Sequence, residues 1–242
     1  MSKYISVALV GLAVALSGQA QADVVLNSTR FIYPAGQASI SISARNGGER
    51  PALVRLWVDR GNLESRPEDD DAPFLVMPPM YLAAVGQNQQ VRVLFTGTEL
   101  PADRESLFWI NLLDVPPLEG TEKDAEQVAV RSRLKLFYRP AGLPGSAETA
   151  IEQLDWRLLR TGNGYVLRAS NASAYHLSFN EVHLQDAGRH YAAGAGTVAP
   201  FASQDFPVAD LASPPRQPRA LVLWITDHGA LVRHEQELEP NP

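Results

Sequence analysis

Short stretches of alternating apolar and polar residues, each closed by Gly, Pro, Asp or Asn, recur along most of this chain. A two-residue period of this kind admits little but β-structure. Ser39 to Ala44 alternates strictly and puts Ile40 and Ile42 on one face. Gln90 to Phe95 does the same with Val91, Val93 and Phe95. Leu53 to Val58 is rich in β-formers and runs into a turn-like Asp59 to Asn62. Leu107 to Leu113 is almost continuously apolar, the pattern of a central strand, and Pro116-Pro117 closes it. Val128 to Tyr138 forms one more strand, close to the upper limit of usual strand length. Short strands punctuated in this way specify an all-β chain built as a β-sandwich.

The pattern is interrupted once. Arg139 to Ser146 packs two Pro and two Gly into eight residues, which is linker chemistry. Strand-like runs resume at Gly164 to Ser170, Tyr175 to Phe179, Glu181 to Leu184 and Ala220 to Thr226, the last followed by the turn Asp227-His228-Gly229. Pro200 to Pro218 carries five prolines and reads as loop plus edge, and Ile151 to Arg160 fits a short helix and a strand equally well. A chain of 242 residues has room for two domains, each able to bury its own core. Residues 1–22 stand apart: Lys3, the apolar run Ile5 to Leu16 and Ala20-Gln21-Ala22 form a cleavable secretory signal that would leave Asp23 as the new N-terminus. The run is too short to span a bilayer, and no other stretch is long and apolar enough to be embedded in a membrane. The expected division is therefore a signal peptide over 1–22 and domains over 23–141 and 142–242. An exported chain without cysteine must be stable by packing alone.

Chemistry is hard to find. The net charge of −6 argues against nucleic acid as a partner. The absence of Cys excludes thiolate metal sites and a cysteine nucleophile. No histidine pair has a metal-ligand spacing; His183 and His190, seven apart, would lie on opposite faces of one strand. There is no nucleophile elbow, and Gly194-Ala195-Gly196 lacks the Lys and Ser/Thr of a phosphate loop. Glu68 to Asp71 reads as a solvated loop, because it lacks the spaced ligands of a calcium site. Asn27-Ser28-Thr29 and Asn171-Ala172-Ser173 match the glycosylation pattern. Trp57, Trp109, Trp156 and Trp224 lie in apolar strand contexts, which weakens the rival reading of an exported binding module with exposed aromatics. The expectation is no enzyme, no metal and no cofactor. What stands out is the long strand carrying Lys135, one of only three lysines. A strand that ends a sandwich often lies at a sheet edge, where its backbone can pair with another chain. Val128 and Val130 fit either that use or the domain's own core.

Several segments resemble the signature of the periplasmic pilus-assembly chaperones. They are Pro101-Ala102-Asp103-Arg104-Glu105-Ser106-Leu107-Phe108-Trp109-Ile110-Asn111, Val115-Pro116-Pro117 and Leu134-Lys135-Leu136-Phe137-Tyr138-Arg139-Pro140. Thr29 to Gly36, Pro73 to Pro79 and Ile225 to Ala230 resemble further blocks of that family, in family order. The resemblance implies two immunoglobulin-like β-sandwiches set in an L or boomerang, with a cleft between them. It implies a non-enzymatic protein of the periplasm that holds pilus (fimbrial) subunits by donor-strand complementation and delivers them to an outer-membrane usher. Carried over residue by residue, Arg30 and Lys135 match the cleft cations that bind the subunit's C-terminal carboxylate. Val128 and Val130 match donor-strand positions. Glu105, Arg139 and Asp227 match a charge network between the domains, expected to serve angular specificity more than stability because exposed ion pairs are weak. A homodimer self-capped through the edge strands is compatible with this reading. Glu126 departs from the family, which usually has a large apolar residue there, so a shorter or shallower apolar insertion, or a register shifted by neighbouring residues, is expected. The short, charged connection from Pro117 to Val128 resembles the branch with a short loop.

Overall fold

The computed structural model describes residues 23–69, 71–115, 128–162 and 164–239. The expected signal peptide, and the connection before Val128 with Glu126, lie outside the described residues. Nine strands form the first half: β1 (Val24–Leu26), β2 (Arg30–Pro34), β3 (Ser39–Asn46), β4 (Ala52–Asp59), β5 (Phe74–Met77), β6 (Met80–Ala83), β7 (Asn88–Phe95), β8 (Ser106–Val115) and β9 (Val130–Arg139). They make two facing sheets, ordered β1-β3-β7-β5 and β2-β9-β8-β4-β6. The alternating runs bury as the period demands: Ile42, Val91 and Val93 meet Val54, Phe108, Ile110 and Leu136 between the sheets. Each such side chain contributes about 1.5–3 kcal/mol by leaving water. β8 lies at the middle of its sheet, which accounts for its continuous apolar sequence.

The pairing of β9 bears most on function. Along one side it pairs antiparallel with β8 from Val130 to Tyr138. Along the other it pairs with β2, which is parallel and reaches only Lys135 to Arg139. Between Val130 and Leu134 that second side has no partner strand among the described residues. The strand also begins two residues later than its sequence suggests. Val130 pairs with Asp114 near the end of β8, and Val128 and Ala129 join no ladder among the described residues.

After β9 the chain passes through Pro140 to Ser146 and enters α1 (Ala147–Ala150), capped by Ser146, whose hydroxyl accepts from the Thr149 backbone. A 3-10 turn (Ile151–Gln153) follows. Seven strands complete the second half: β10 (Asp155–Thr161), β11 (Gly164–Ser170), β12 (Leu177–Asp186), β13 (Arg189–Val198), β14 (Ser203–Val208), β15 (Arg219–Ile225) and β16 (Leu231–Glu237). They form sheets ordered β10-β11-β14 and β13-β12-β15-β16 around a second core that includes Trp156, Leu167, Phe179 and Val222. The ambiguous stretch from Ile151 is thus both: a helical turn, then a strand. The proline-rich segment contributes the edge strand β14. Tyr175 to Phe179 and Glu181 to Leu184 prove to be parts of one region, with a register shift between Phe179 and Glu181 inside β12.

The two sandwiches touch along a narrow seam. Glu105 N–H donates to the Ala174 carbonyl at 2.9 Å. At the turn after β15, Gly229 has φ +80°, and a Cβ there would stand 2.6 Å from Thr29 Oγ1. Only glycine serves both demands.

Candidate functional site

Arg30 opens β2, and Lys135 lies opposite it in the parallel register. Phe31, Tyr33 and Leu136 point into the first core, so the two-residue period turns Arg30 and Lys135 to the other face, toward the second domain. There Arg30 is only 5% exposed. Its Nη1 donates to the Ile225 carbonyl at 2.9 Å, its guanidinium lies 5.8 Å from the Phe137 ring centre, and its buried Nε has no partner. Lys135 Nζ donates to Ser178 Oγ at 2.9 Å and to Thr197 Oγ1, both from the second domain. Among the described residues neither cation forms an ion pair. Burial, and then the charge of Arg30 beside it, pull the Lys135 ammonium down to about 8. Burial also holds Arg30 below its ordinary value, against the pull of Asp227 and Glu105. Two adjacent, partly desolvated cations with spare donors make a site that favours an anion.

Beside them lies the expected charge network. Arg139 Nε donates to Glu105 Oε1 at 2.7 Å, and its Nη1 donates to Asp227 Oδ2 at 2.7 Å. Burial works against the Arg139 charge, but Asp227 and Glu105 outweigh it and push the guanidinium above its usual range. The expectation of an exposed, weak network needs correction, because the Glu105 side chain is only 1% exposed. Its second oxygen accepts from the His176 backbone N–H at 2.7 Å and faces His176 Nδ1 at 3.3 Å. The His176 ring packs on Phe137.

Val128 is 57% exposed and Val130 half-buried, and neither belongs to the first core. Pairing of β9 with β8 runs without a register shift, so Val130 and Lys135 do occupy opposite faces.

Sequence reasoning missed His176, Ser178 and Thr197, although the alternation His176-Leu177-Ser178-Phe179 does set a polar face against an apolar one. It also misjudged Trp109, which lies half-buried beneath Arg133 and Lys135 on the outer face of the five-stranded sheet. His183 and His190 are not on opposite faces of one strand. They come from the paired strands β12 and β13, with ring centres 6.4 Å apart. No group of three His, Cys, Asp or Glu among the described residues is arranged to hold a metal. Asn171 is buried, and its amide donates to the Tyr175 carbonyl at 2.7 Å, so that sequon is closed to modification in the folded protein.

Comparison with known proteins decides the family. Residues 23–144 match the N-terminal domain of the PapD pili and flagellar-assembly chaperones, and residues 149–236 match the PapD C-terminal domain. The chain belongs to the PapD-like family of pilus-assembly chaperones. Chaperone protein FimB/FhaD of Bordetella pertussis is 37% identical over 209 residues, covering 83% of this chain and 84% of that protein. The crystal structure of the YadV chaperone superposes with a TM-score of 0.79 at 33% identity, covering 89% of this chain and 100% of YadV. Salmonella enterica SafB, solved in complex with the SafA pilin, gives a TM-score of 0.72 at 28% identity, covering 91% of this chain and 99% of that one. The two immunoglobulin-like sandwiches therefore share the L-shaped arrangement of the family. This chain is a fimbrial chaperone. Donor-strand complementation of pilus subunits and their delivery to an usher are the family's function, its members are not enzymes, and the relatives are periplasmic.

Proposed function

We propose that this chain captures a pilin subunit on the open half of β9 and anchors the subunit's C-terminal carboxylate between Arg30 and Lys135. The observation that carries the reading is the end of the open edge. The unpaired side of β9 runs from Val130 to Leu134 and stops at two adjacent cations without an ion-pair partner among the described residues. A subunit strand added there lies in line with β2. With its carboxylate at Lys135, the C-terminal end of the open edge, it must run parallel to β9 as β2 does. Val130, with Val128 beyond the strand's start, is then free to enter the subunit's groove, because neither is used in the chaperone's own core. Glu105, Arg139 and Asp227 fix the angle at which the second domain meets the site. Export by residues 1–22, release to an outer-membrane usher and self-capping of two β9 edges without a subunit complete the proposal.

The test is a periplasmic pull-down with the wild type and with Lys135→Ala or Arg30→Ala, read by intact mass. A one-to-one pilin complex with the wild type is expected. Loss of charge-assisted hydrogen bonds should weaken capture by about ten- to a hundredfold in variants that remain folded. Normal recovery of complex from both variants would overturn the carboxylate anchor. A wild type that elutes alone while pili are being made would favour an exported binding module.

A further inference from the structure

The open half of β9 raises a physical question. An edge segment with a ladder on one side only is the kind of element that frays. Yet its odd-numbered side chains are all held on the outer face of the sheet. The Arg131 guanidinium stacks 4.9 Å from the Trp57 ring centre and donates to Asn111 Oδ1 at 2.8 Å and to the Leu63 carbonyl at 2.8 Å. The Arg133 guanidinium stacks 4.9 Å from the Trp109 ring centre and donates to both oxygens of Asp59, at 2.8 and 3.0 Å. Asp59 is fully buried at the end of β4, where Asn111 Nδ2 donates to it at 2.7 Å and Gly61 N–H at 2.6 Å. A fully buried carboxylate is tolerated only when it is paired and hydrogen-bonded, and here its charge partner comes from the strand whose second side is open. Asn111, also fully buried, ties the two arginines together.

We infer that Asp59, Asn111, Arg131 and Arg133 are positioning residues for subunit capture, holding the unpaired half of β9 extended before a subunit arrives. With the odd side chains clamped, the two-residue period directs Val130, Ser132 and Leu134 to the opposite face. The backbone edge between them stays straight and free to pair. The ordering cost of the lent strand is then met in the fold of the chaperone and not at the moment of binding, which is preorganisation in its ordinary sense. The Trp57 and Trp109 rings belong to the same device, since each has one guanidinium over it. The inference rests on the reading of β9 as the lent strand.

The test compares Arg133→Met and Arg131→Met with the wild type. Both substitutions keep an aliphatic stem over the tryptophan and remove the donors. The first readout is amide hydrogen exchange of the subunit-free protein. Protection of β9 amides between Val130 and Leu134 should fall about tenfold, as expected for loss of hydrogen bonds to a charged group, while amides of β3 and β7 keep theirs. The second readout is the rate at which each protein captures a purified pilin subunit diluted from denaturant; it should fall by a similar factor, with dissociation of the formed complex changing less. Protection lost uniformly across the first domain in both variants would mean the clamp serves only general stability, and the inference falls. Unchanged exchange in β9 would also overturn it. If exchange behaves as expected but the wild type captures no subunit, the reading of β9 as the lent strand is at fault, and the capture role falls with it.

Discussion

Lys135 is the residue whose chemistry is most displaced by its place in the fold. In water a lysine ammonium holds its proton to a pH above 10. Here burial, with Arg30 alongside, lowers that point to about 8. The sign of the consequence follows from which state holds the proton more tightly. Between about pH 8 and the ordinary lysine value the unfolded chain keeps a proton that the folded chain has released, so stability of the free protein rises with pH across that window. Lys135→Met removes this rise, and denaturant titrations at pH 7 and pH 9.5 measure it. A bound carboxylate acts in the opposite direction by raising the lysine again. Subunit affinity is therefore greatest below pH 8 and declines as pH rises past it, while a Lys135→Met variant shows a weak and pH-independent affinity. An affinity for the wild type that is flat from pH 7 to 9.5 would mean the ammonium does not contact the subunit. Arg30 keeps its charge throughout and cannot mimic this titration.

On the scale of single strands, β9 separates residues that build the domain's core, such as Leu136, from residues outside it, such as Val130. Leu136 is fully buried, so Leu136→Ala should cost about 2–5 kcal/mol and destabilise the first sandwich outright. Val130 is on the same face but outside the core, so Val130→Asp should leave the thermal midpoint of the free protein almost unchanged while reducing subunit capture at least tenfold. A Val130→Asp protein that unfolds alone would place Val130 with Leu136. The same strand shows how far sequence reading reaches. Alternation was legible in β3, β4, β7 and β8, where one face alone meets the core or, in β8, where both faces are covered. It failed for β13, whose Tyr-Ala-Ala-Gly-Ala-Gly run has little β-preference of its own and is held by its neighbour β12. It failed for β16, a polar edge strand carried by β15 and by the Arg219–Glu237 pair. Of the proposed site, Arg30, Glu105, Lys135, Arg139 and Asp227 were named through family motifs, and the structure brings them together where the two domains meet. Their partners Ser178, Thr197, His176 and the Ile225 carbonyl reach across the linker, and no local pattern encodes a contact of that kind.

At the level of the whole molecule, the cleft exists only because the second domain is held against the first. Both cleft cations lean on it: Arg30 on the Ile225 carbonyl, Lys135 on Ser178 and Thr197. Arg139 bridges the buried Glu105 and the partly exposed Asp227, and Gly229 stands close to Thr29; on the proposed reading these contacts set the angle between the domains. Removing Arg139 leaves Glu105 buried without its main charge partner, whereas removing Asp227 exposes an arginine still paired with Glu105. Arg139→Met should therefore cost about 3–5 kcal/mol of stability. Asp227→Asn, which keeps an oxygen acceptor and leaves Arg139 paired with Glu105, should cost less, about 1–2 kcal/mol. Denaturant unfolding measures the two costs, and small-angle scattering of the free proteins measures the change in domain angle. Gly229→Ala tests the seam without touching the charges, since a Cβ at that turn would stand 2.6 Å from Thr29 Oγ1 and a φ of +80° strains any residue but glycine. If the angle sets the site, Gly229→Ala and Asp227→Asn reduce subunit capture in proportion to the opening seen by scattering, with β9 and both cations intact in sequence. Opening without loss of capture would show that Arg30 and Lys135 hold the carboxylate from the first domain alone.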